Sequence, residues 1–327
     1  MRIYKYGTLA PATTVSKNLR IERRQTTMAT QQTVGMIGIG QLGLPIATNL
    51  IAAGFRVVGY RRNDRDEFER RGGEALASPA EVAKSANVVL LCLPSEQAQR
   101  DVLEGPNGLL SALKAGKTVI ELGTYARDFK IAQAARIEST GASVLEAEVS
   151  GSPPMVMERR AALYLGGTQD LINQCKPVLE AITAHHFHLG AFGCAVTMKL
   201  IANCLVTIHT LAAAEAVNMA IHAGFDPQQA VDVLKQGAGA SAMLAIRGPL
   251  MASGQFTPAM GAFDTLEKYL TLGAGLAAKL ECATPLFSAA APYFTRAIEG
   301  GMRTLDIAAV IELVNAESGA SKQLSAA

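Results

Sequence analysis

Three groups of residues have types and spacings that could do chemistry. Gly38-Ile39-Gly40-Gln41-Leu42-Gly43 is a G-x-G-x-x-G run. Such a run suits a dinucleotide pyrophosphate. The first glycine permits a tight turn, the second lets the backbone approach the phosphates, and the third lets a helix pack closely on a strand. The free N–H groups at the start of that helix then attract the anion. Lys199 and Asn203 are four residues apart, which puts both side chains on one face of a helix. A lysine amine in a cleft moves a proton to or from a substrate oxygen when burial or a positive neighbour lowers its proton affinity. Asn203 would orient a hydroxyl, or the lysine itself. Taken alone, the pair reads more readily as a surface lysine and an asparagine satisfied by its own helix. In Glu148-Val149-Ser150-Gly151-Ser152, the hydroxyls and N–H groups of Ser150, Gly151 and Ser152 suit a carboxylate. They equally suit an ordinary polar loop.

These groups need elements to hold them. Val34–Gly38, Arg56–Tyr60, Asn87–Leu93, Thr118–Leu122, Ser143–Glu146, Ala162–Leu165 and the stretch around His186–Leu189 read as strands. Helices are expected over Leu42–Ala53, Pro79–Ser85 with Ser78 as cap, and near Lys130–Ser139. Apolar strands alternating with helices imply an α/β fold, a Rossmann doubly wound parallel sheet covered on both faces. From Cys194 a helical period runs to Ala223 without a breaker, about 45 Å of helix. Only helices follow, over Pro227–Gln236, Ala240–Ile246, Phe263–Leu280, Pro285–Glu299 and Asp306–Ser318. The expected organisation is a cofactor-binding domain over 32–192 and an all-α C-terminal domain over 193–327, joined by the long interdomain helix. Lys199 and Asn203 then fall where the two meet, a usual place for a cleft.

The end of the second strand sets the nucleotide preference. An NAD site usually places an acid there for the ribose hydroxyls. This sequence has Tyr60-Arg61-Arg62-Asn63 instead, and two guanidiniums suit a 2′-phosphate. NADP is expected as cofactor, with NAD less favoured.

Composition narrows the function classes. Of 327 residues, 49% are hydrophobic and 18% charged, so a large core can form, and the net charge of +2 lacks the footprint of a nucleic-acid binder. The five cysteines include no C-x-x-C pair, which fits a reduced, cytoplasmic protein. His185, His186 and His188 lack the nearby Cys or acid that a metal site needs, so no metal is expected. Leu200–Ala223 is apolar, but Asn203, His209, Glu215, Asn218 and His222 favour a buried helix over a membrane span. Residues 1–31 are basic and carry one acid, Glu22. They read as a disordered leader, or as a transit peptide, and Met28 could be the biological start. The apolar helical half suggests a homodimer or homotetramer.

With the glycine loop, Ser150-Gly151-Ser152 and Lys199-Leu-Ile-Ala-Asn203 in place, a resemblance emerges. The chain resembles the β-hydroxyacid dehydrogenase family, over about residues 33–320. A late lysine, Lys268 in Phe263-Asp-Thr-Leu-Glu-Lys268, adds to it. The resemblance implies hydride transfer between a nicotinamide and a small hydroxyacid or semialdehyde, with Lys199 as general acid/base. It implies that Ser150, Gly151, Ser152 and Asn203 bind substrate and that Leu93 and Pro94 pack on the cofactor. Thr124 would lie near the nicotinamide, and Lys268 across the cleft near both substrate and cofactor.

Several positions depart from the family pattern. Glu148 stands where proline is usual, Ser152 and Gly123 replace glycine and serine, and Tyr269 and Cys204 replace aspartate and asparagine. A buried carboxylate at Glu148 would favour a cationic or amine-bearing substrate. Two other readings share the architecture. An imine reductase usually has aspartate or tyrosine where Lys199 stands. A non-catalytic NADP-binding regulatory module would need neither Lys199 nor Lys268.

Overall fold

The computed structural model describes residues 32–319. The expectations for residues 1–31, Met28 included, lie outside the described residues. The first half alternates β1 (Thr33–Ile37), α1 (Gly43–Ala52), β2 (Arg56–Tyr60), α2 (Asp66–Arg70), β3 (Glu74–Ala75), α3 (Pro79–Ser85), β4 (Val88–Leu91) and α4 (Glu96–Glu104). It continues through β5 (Thr118–Glu121), α5 (Arg127–Glu138), β6 (Ser143–Ser150), α6 (Pro153–Met157), β7 (Ala162–Gly166), α7 (Gln169–Ile182) and β8 (His185–His188).

The strands form one sheet in the order β3-β2-β1-β4-β5-β6-β7-β8. Pairing is parallel from β3 through β6. β7 runs antiparallel to β6, with Glu148 opposite Tyr164, and β8 follows β7 in parallel. The expected parallel sheet therefore carries a reversed pair at one edge. Alternate side chains of each strand enter two apolar layers. Val34, Met36, Leu90, Ile120 and Leu145 enter one, and Ile37, Val89, Leu91, Val119 and Val144 the other. From β1 the chain steps outward to β2 and β3, then crosses back to β4 on the other side. That reversal opens a crevice beyond the ends of β1 and β4, where sheets of this kind take ligands.

The second half is helical: α8 (Cys194–His222), α9 (Pro227–Leu234), α10 (Ala242–Ser253), α11 (Phe263–Lys279), α12 (Pro285–Glu299) and α13 (Val310–Glu317). By length and composition α8 could cross a membrane. Here it packs against β6, β7 and each of α9 to α13. Leu211, Ala214 and Val217 of α8 share a core with Phe263, Phe287 and Phe294.

Some elements escaped the sequence pattern. β3 has only two residues, too few to show a period. α4 buries only Gln99, Val102 and Leu103, so it lacks a continuous apolar stripe. α7 contains Pro177, and α10 runs through Pro249 beyond its expected end. The last expected helix begins as a 3-10 turn, Ile307–Ala309, before α13.

Candidate active site

The glycine run forms the turn between β1 and α1. Gly38 has φ +93°, and a Cβ there would lie 2.1 Å from the Cys92 carbonyl oxygen. A Cβ on Gly43 would lie 2.0 Å from the Gly38 carbonyl oxygen. Both positions are closed to any side chain. Gly40 differs, because a Cβ there would meet no protein atom within 4 Å. α1 also begins with no side-chain cap and no acid in its first turn. By contrast, Ser78, Ser95, Thr168, Asp226 and Ser241 each accept a hydrogen bond from the first turn of their own helices. An open backbone at an uncapped helix start is what a pyrophosphate requires, so these residues fit a dinucleotide.

A cavity of about 900 Å³ extends from this turn. Gly38, Ile39, Gly40, Gln41, Leu42, Gly43, Arg61, Arg62, Asn63, Leu93, Pro94 and Lys268 all line it, as does Tyr269. A smaller cavity of about 630 Å³ lies between α11 and α12, away from the titratable groups described below. At the β2 end, Arg61 is engaged by Asp64, donating to its carbonyl at 3.3 Å and pairing with its carboxylate at 3.7 Å. The exposed Arg62 has no protein partner among the described residues.

The other end of the cavity meets a buried polar cluster. Glu146 and Glu148 alternate along β6 with the apolar Leu145, Ala147 and Val149, so both carboxylates share one face of the sheet. Lys130 of α5 is fully enclosed. Its ammonium donates to the Gly123 carbonyl at 2.8 Å and to the Glu148 carboxylate, and forms an ion pair with Glu146 at 3.0 Å. Burial alone would lower the proton affinity of Lys130. The carboxylates of Glu148, Glu146 and Glu121 outweigh it and hold the ammonium above the usual lysine range. Thr124 donates to the other Glu148 oxygen at 2.6 Å. Burial raises Glu148 against the pull of Lys130 and Thr124. Glu121 accepts from the Gly123 N–H at 2.7 Å and from Gln99, and burial pushes its carboxyl up to about 7.

Glu146 also fixes the start of α8. Its carboxylate accepts from the N–H groups of Gly193 at 2.7 Å, Ala195 at 3.0 Å and Val196 at 3.2 Å. A carboxylate there satisfies orphan donors and opposes the positive helix end. Lys199 lies one turn further on. Burial lowers its amine to about 8, opposed by the negative charge of Glu148 and assisted by the positive charge of Lys268. Its Nζ lies 5.7 Å from the centroid of the Tyr269 ring, and that of Lys268 lies 5.3 Å from the same centroid. Burial pushes the Tyr269 hydroxyl up to about 12, against the pull of the Thr124 hydroxyl.

Thr124, Lys199 and Lys268 thus converge with Glu148 and Tyr269. Asn203 donates its amide to the Lys199 carbonyl at 2.8 Å, inside its own helix. Ser150 ends β6 opposite Ala162, Gly151 follows, and Ser152 precedes α6 without capping it. None of these three lines the large cavity, and the Ser150 and Ser152 hydroxyls have no protein partner among the described residues. Glu148 is not the free carboxylate that would call for a cationic substrate, since Lys130 and Thr124 already meet it. His186 bonds with the Leu179 carbonyl, and His188 with Gln169 and the Gly167 and Gly190 carbonyls. Burial raises the Cys204 thiol, which suits a core residue and not a nucleophile. Sequence reasoning missed Lys130, Glu121, Glu146 and Gln99. The available signal was a carboxylate inside an apolar strand run, which is rare unless paired.

Comparison with known proteins gives a consistent picture. Residues 33–198 match the NAD-binding domain of 6-phosphogluconate dehydrogenase. Residues 193–314 match a domain described as the NAD-binding of NADP-dependent 3-hydroxyisobutyrate dehydrogenase. The chain is 32% identical to L-threonate dehydrogenase of Cupriavidus necator, over 86% of this chain and 95% of that one. It is 30% identical to the chloroplastic glyoxylate/succinic semialdehyde reductase 2 of Arabidopsis thaliana, over 86% of this chain and 79% of that one. Among solved structures, 3-hydroxyisobutyrate dehydrogenase from Salmonella typhimurium superposes with a TM-score of 0.79 at 28% identity, covering 86% of this chain and all of that one.

Proposed function

The chain belongs to the β-hydroxyacid dehydrogenase family, nicotinamide-dependent oxidoreductases acting on CH–OH groups, and we propose that Lys199 is its general acid/base and NADP its preferred cofactor. The observation that carries the first part is the placing of Lys199. Its amine is half-buried beside Glu148 and Tyr269, and burial brings it to about 8, near enough to neutrality to exchange a proton. When bound, the nicotinamide supplies or accepts a hydride. In the reductive direction Lys199 delivers a proton to the new alkoxide oxygen, and in oxidation it takes that proton away. Thr124 holds its hydroxyl toward Glu148 and Tyr269, and Lys268 closes the cavity from α11, 3.5 Å from the Pro94 carbonyl.

The free hydroxyls of Ser150 and Ser152, with the Gly151 N–H and Asn203, support binding of a substrate carboxylate. Arg62 at the β2 end, without a partner among the described residues, supports the 2′-phosphate of NADP. The names of the relatives suggest a first substrate panel of L-threonate, 3-hydroxyisobutyrate, glyoxylate and succinic semialdehyde. The described residues are read as a cofactor domain over 32–192 and a helical domain from residue 193 onward. Met198, Ile201 and Leu205 are exposed along one side of α8, which supports a dimer or tetramer of this chain. All five cysteines are unpaired, which supports a reducing, cytoplasmic setting.

The test is Lys199→Ala, assayed over that panel with both cofactors. Turnover should be lost with NADPH binding retained. Undiminished turnover rejects the assignment.

A further inference from the structure

One ammonium ties the loop after β5 to two carboxylates of β6, and one of those carboxylates ties on to the start of α8. Lys130 of α5 donates to the Gly123 carbonyl and to Glu148 and pairs with the Glu146 carboxylate. Gly123 immediately precedes Thr124, and Glu148 also holds the Thr124 hydroxyl. Glu146 holds the N–H groups of Gly193, Ala195 and Val196, the turn from which Lys199 rises. The side chains of Lys130, Glu146 and Glu148 are all without solvent contact. Breaking such a pair leaves an uncompensated buried charge, which is strongly destabilising, so these charges act together or not at all.

We propose that Lys130 is a positioning residue for this site and works as one unit with Glu148, setting Thr124 and the start of the Lys199 helix in fixed relation. This rests on Lys199 being the proton carrier. The charged and titratable groups facing Lys199 are Glu148 from β6, and Lys268 and Tyr269 from α11, with Lys130 of α5 behind Glu148. The Glu148 charge favours the protonated amine, while burial and Lys268 oppose it. Lys130 favours the charged form of Glu148 against burial and fixes it in place, so it reaches Lys199 both through geometry and through that charge.

The test uses Glu148→Gln, Lys130→Met and the double variant of the full chain. The pH dependence of Lys199 acetylation by acetic anhydride, read by mass spectrometry, follows the amine without needing a substrate. The midpoint should fall by about one unit in Glu148→Gln, because the charge favouring the ammonium is gone while the amide still accepts from Lys130. Lys130→Met should lower kcat about a hundredfold, on whichever panel substrate the wild type turns over. The double variant should recover about tenfold of that loss, since one stranded carboxylate is removed with its partner. An unmoved acetylation midpoint in Glu148→Gln overturns the proposal. So does a double variant whose loss is the product of the single losses. If Lys130→Met does not fold, Lys130→Gln takes its place in the same cycle, removing the charge while keeping a donor toward Glu148. Full turnover by Lys199→Ala would instead refute the underlying reading of Lys199, with the acetylation result still standing on its own.

Discussion

The Lys199 ammonium and the Tyr269 ring face one another behind the cavity wall that Tyr269 forms, Nζ to centroid 5.7 Å, and Lys268 stands 5.3 Å from the same ring. The negative face of an aromatic ring attracts a cation, so one tyrosine partly offsets the repulsion between two lysines. An aspartate, the residue the family resemblance leads one to expect at this position, would instead hold a full charge there. The exchange keeps the cleft positive without fixing Lys199 in its charged form. That balance suits a group that must give up and regain a proton.

The first prediction is the pH profile. With burial bringing Lys199 to about 8, the free amine that accepts a proton forms as pH rises through that value. Oxidation should therefore gain kcat/KM with pH, with a midpoint near 8, and reduction should lose it over the same range. Tyr269→Phe keeps the ring and should leave the midpoint in place. Tyr269→Leu removes it and should lower the midpoint by a few tenths of a unit. A midpoint near the 10.5 of an ordinary lysine would contradict the assignment.

The second prediction separates two neighbouring arginines. Arg61 is already engaged with Asp64, whereas Arg62 has no protein partner among the described residues. Arg62→Ala should weaken NADPH binding about tenfold or more and leave NADH binding nearly unchanged. Arg61→Ala should have the smaller effect. Fluorescence titration of each variant with both reduced cofactors measures this, and equal losses for NADPH and NADH would refute the 2′-phosphate role.

How much of this was legible in the sequence depends on the kind of signal. β1, α1 and β2 show as apolar runs broken by glycine, and Gly38 to Gly43 show as a spaced motif, because both are local patterns. α8 shows as an unbroken helical period. The Lys130–Glu146–Glu148 cluster does not show, because Lys130 and Glu148 are 18 residues apart and are brought together only by α5 packing on β6. Glu148 stood out by its position, but its partners did not, and its charge was read as available to substrate. Asn203 reads from the sequence both as helix-satisfied and as a substrate ligand, and in the structure its amide donates to the Lys199 carbonyl of its own helix. α4 and α7 were missed because a sparse apolar face or an internal proline hides a helix that tertiary packing stabilises.

A third prediction concerns Glu121. Burial raises its carboxyl from 4.5 to about 7, so the folded state binds a proton that the unfolded chain has released. The stability this contributes is fully present below about 4.5 and is lost as pH rises through about 7. Glu121→Gln removes the titration while keeping an acceptor for the Gly123 N–H. Urea unfolding should show the wild type losing about 3 kcal/mol more than this variant between pH 4.5 and pH 8. Parallel pH dependence in the two proteins would mean that Glu121 is ionised throughout.

The last prediction contrasts two glycines of one loop. At Gly38 a Cβ would strike the Cys92 carbonyl oxygen at 2.1 Å, and φ of +93° is strained for any side chain. Gly38→Ala should lower Tm by several degrees and reduce soluble yield, whether or not cofactor is present. At Gly40 the added methyl would meet no protein atom, so Gly40→Ala should keep the wild-type Tm within about a degree. The same methyl would occupy the space through which a pyrophosphate approaches the uncapped start of α1, so NADPH binding should weaken about tenfold or more. Thermal melts with and without NADPH separate the two effects. Gly40→Ala should melt normally alone and lose the upward shift that cofactor gives the wild type. A Gly40→Ala protein that keeps the full shift would mean that the phosphates do not lie against this turn.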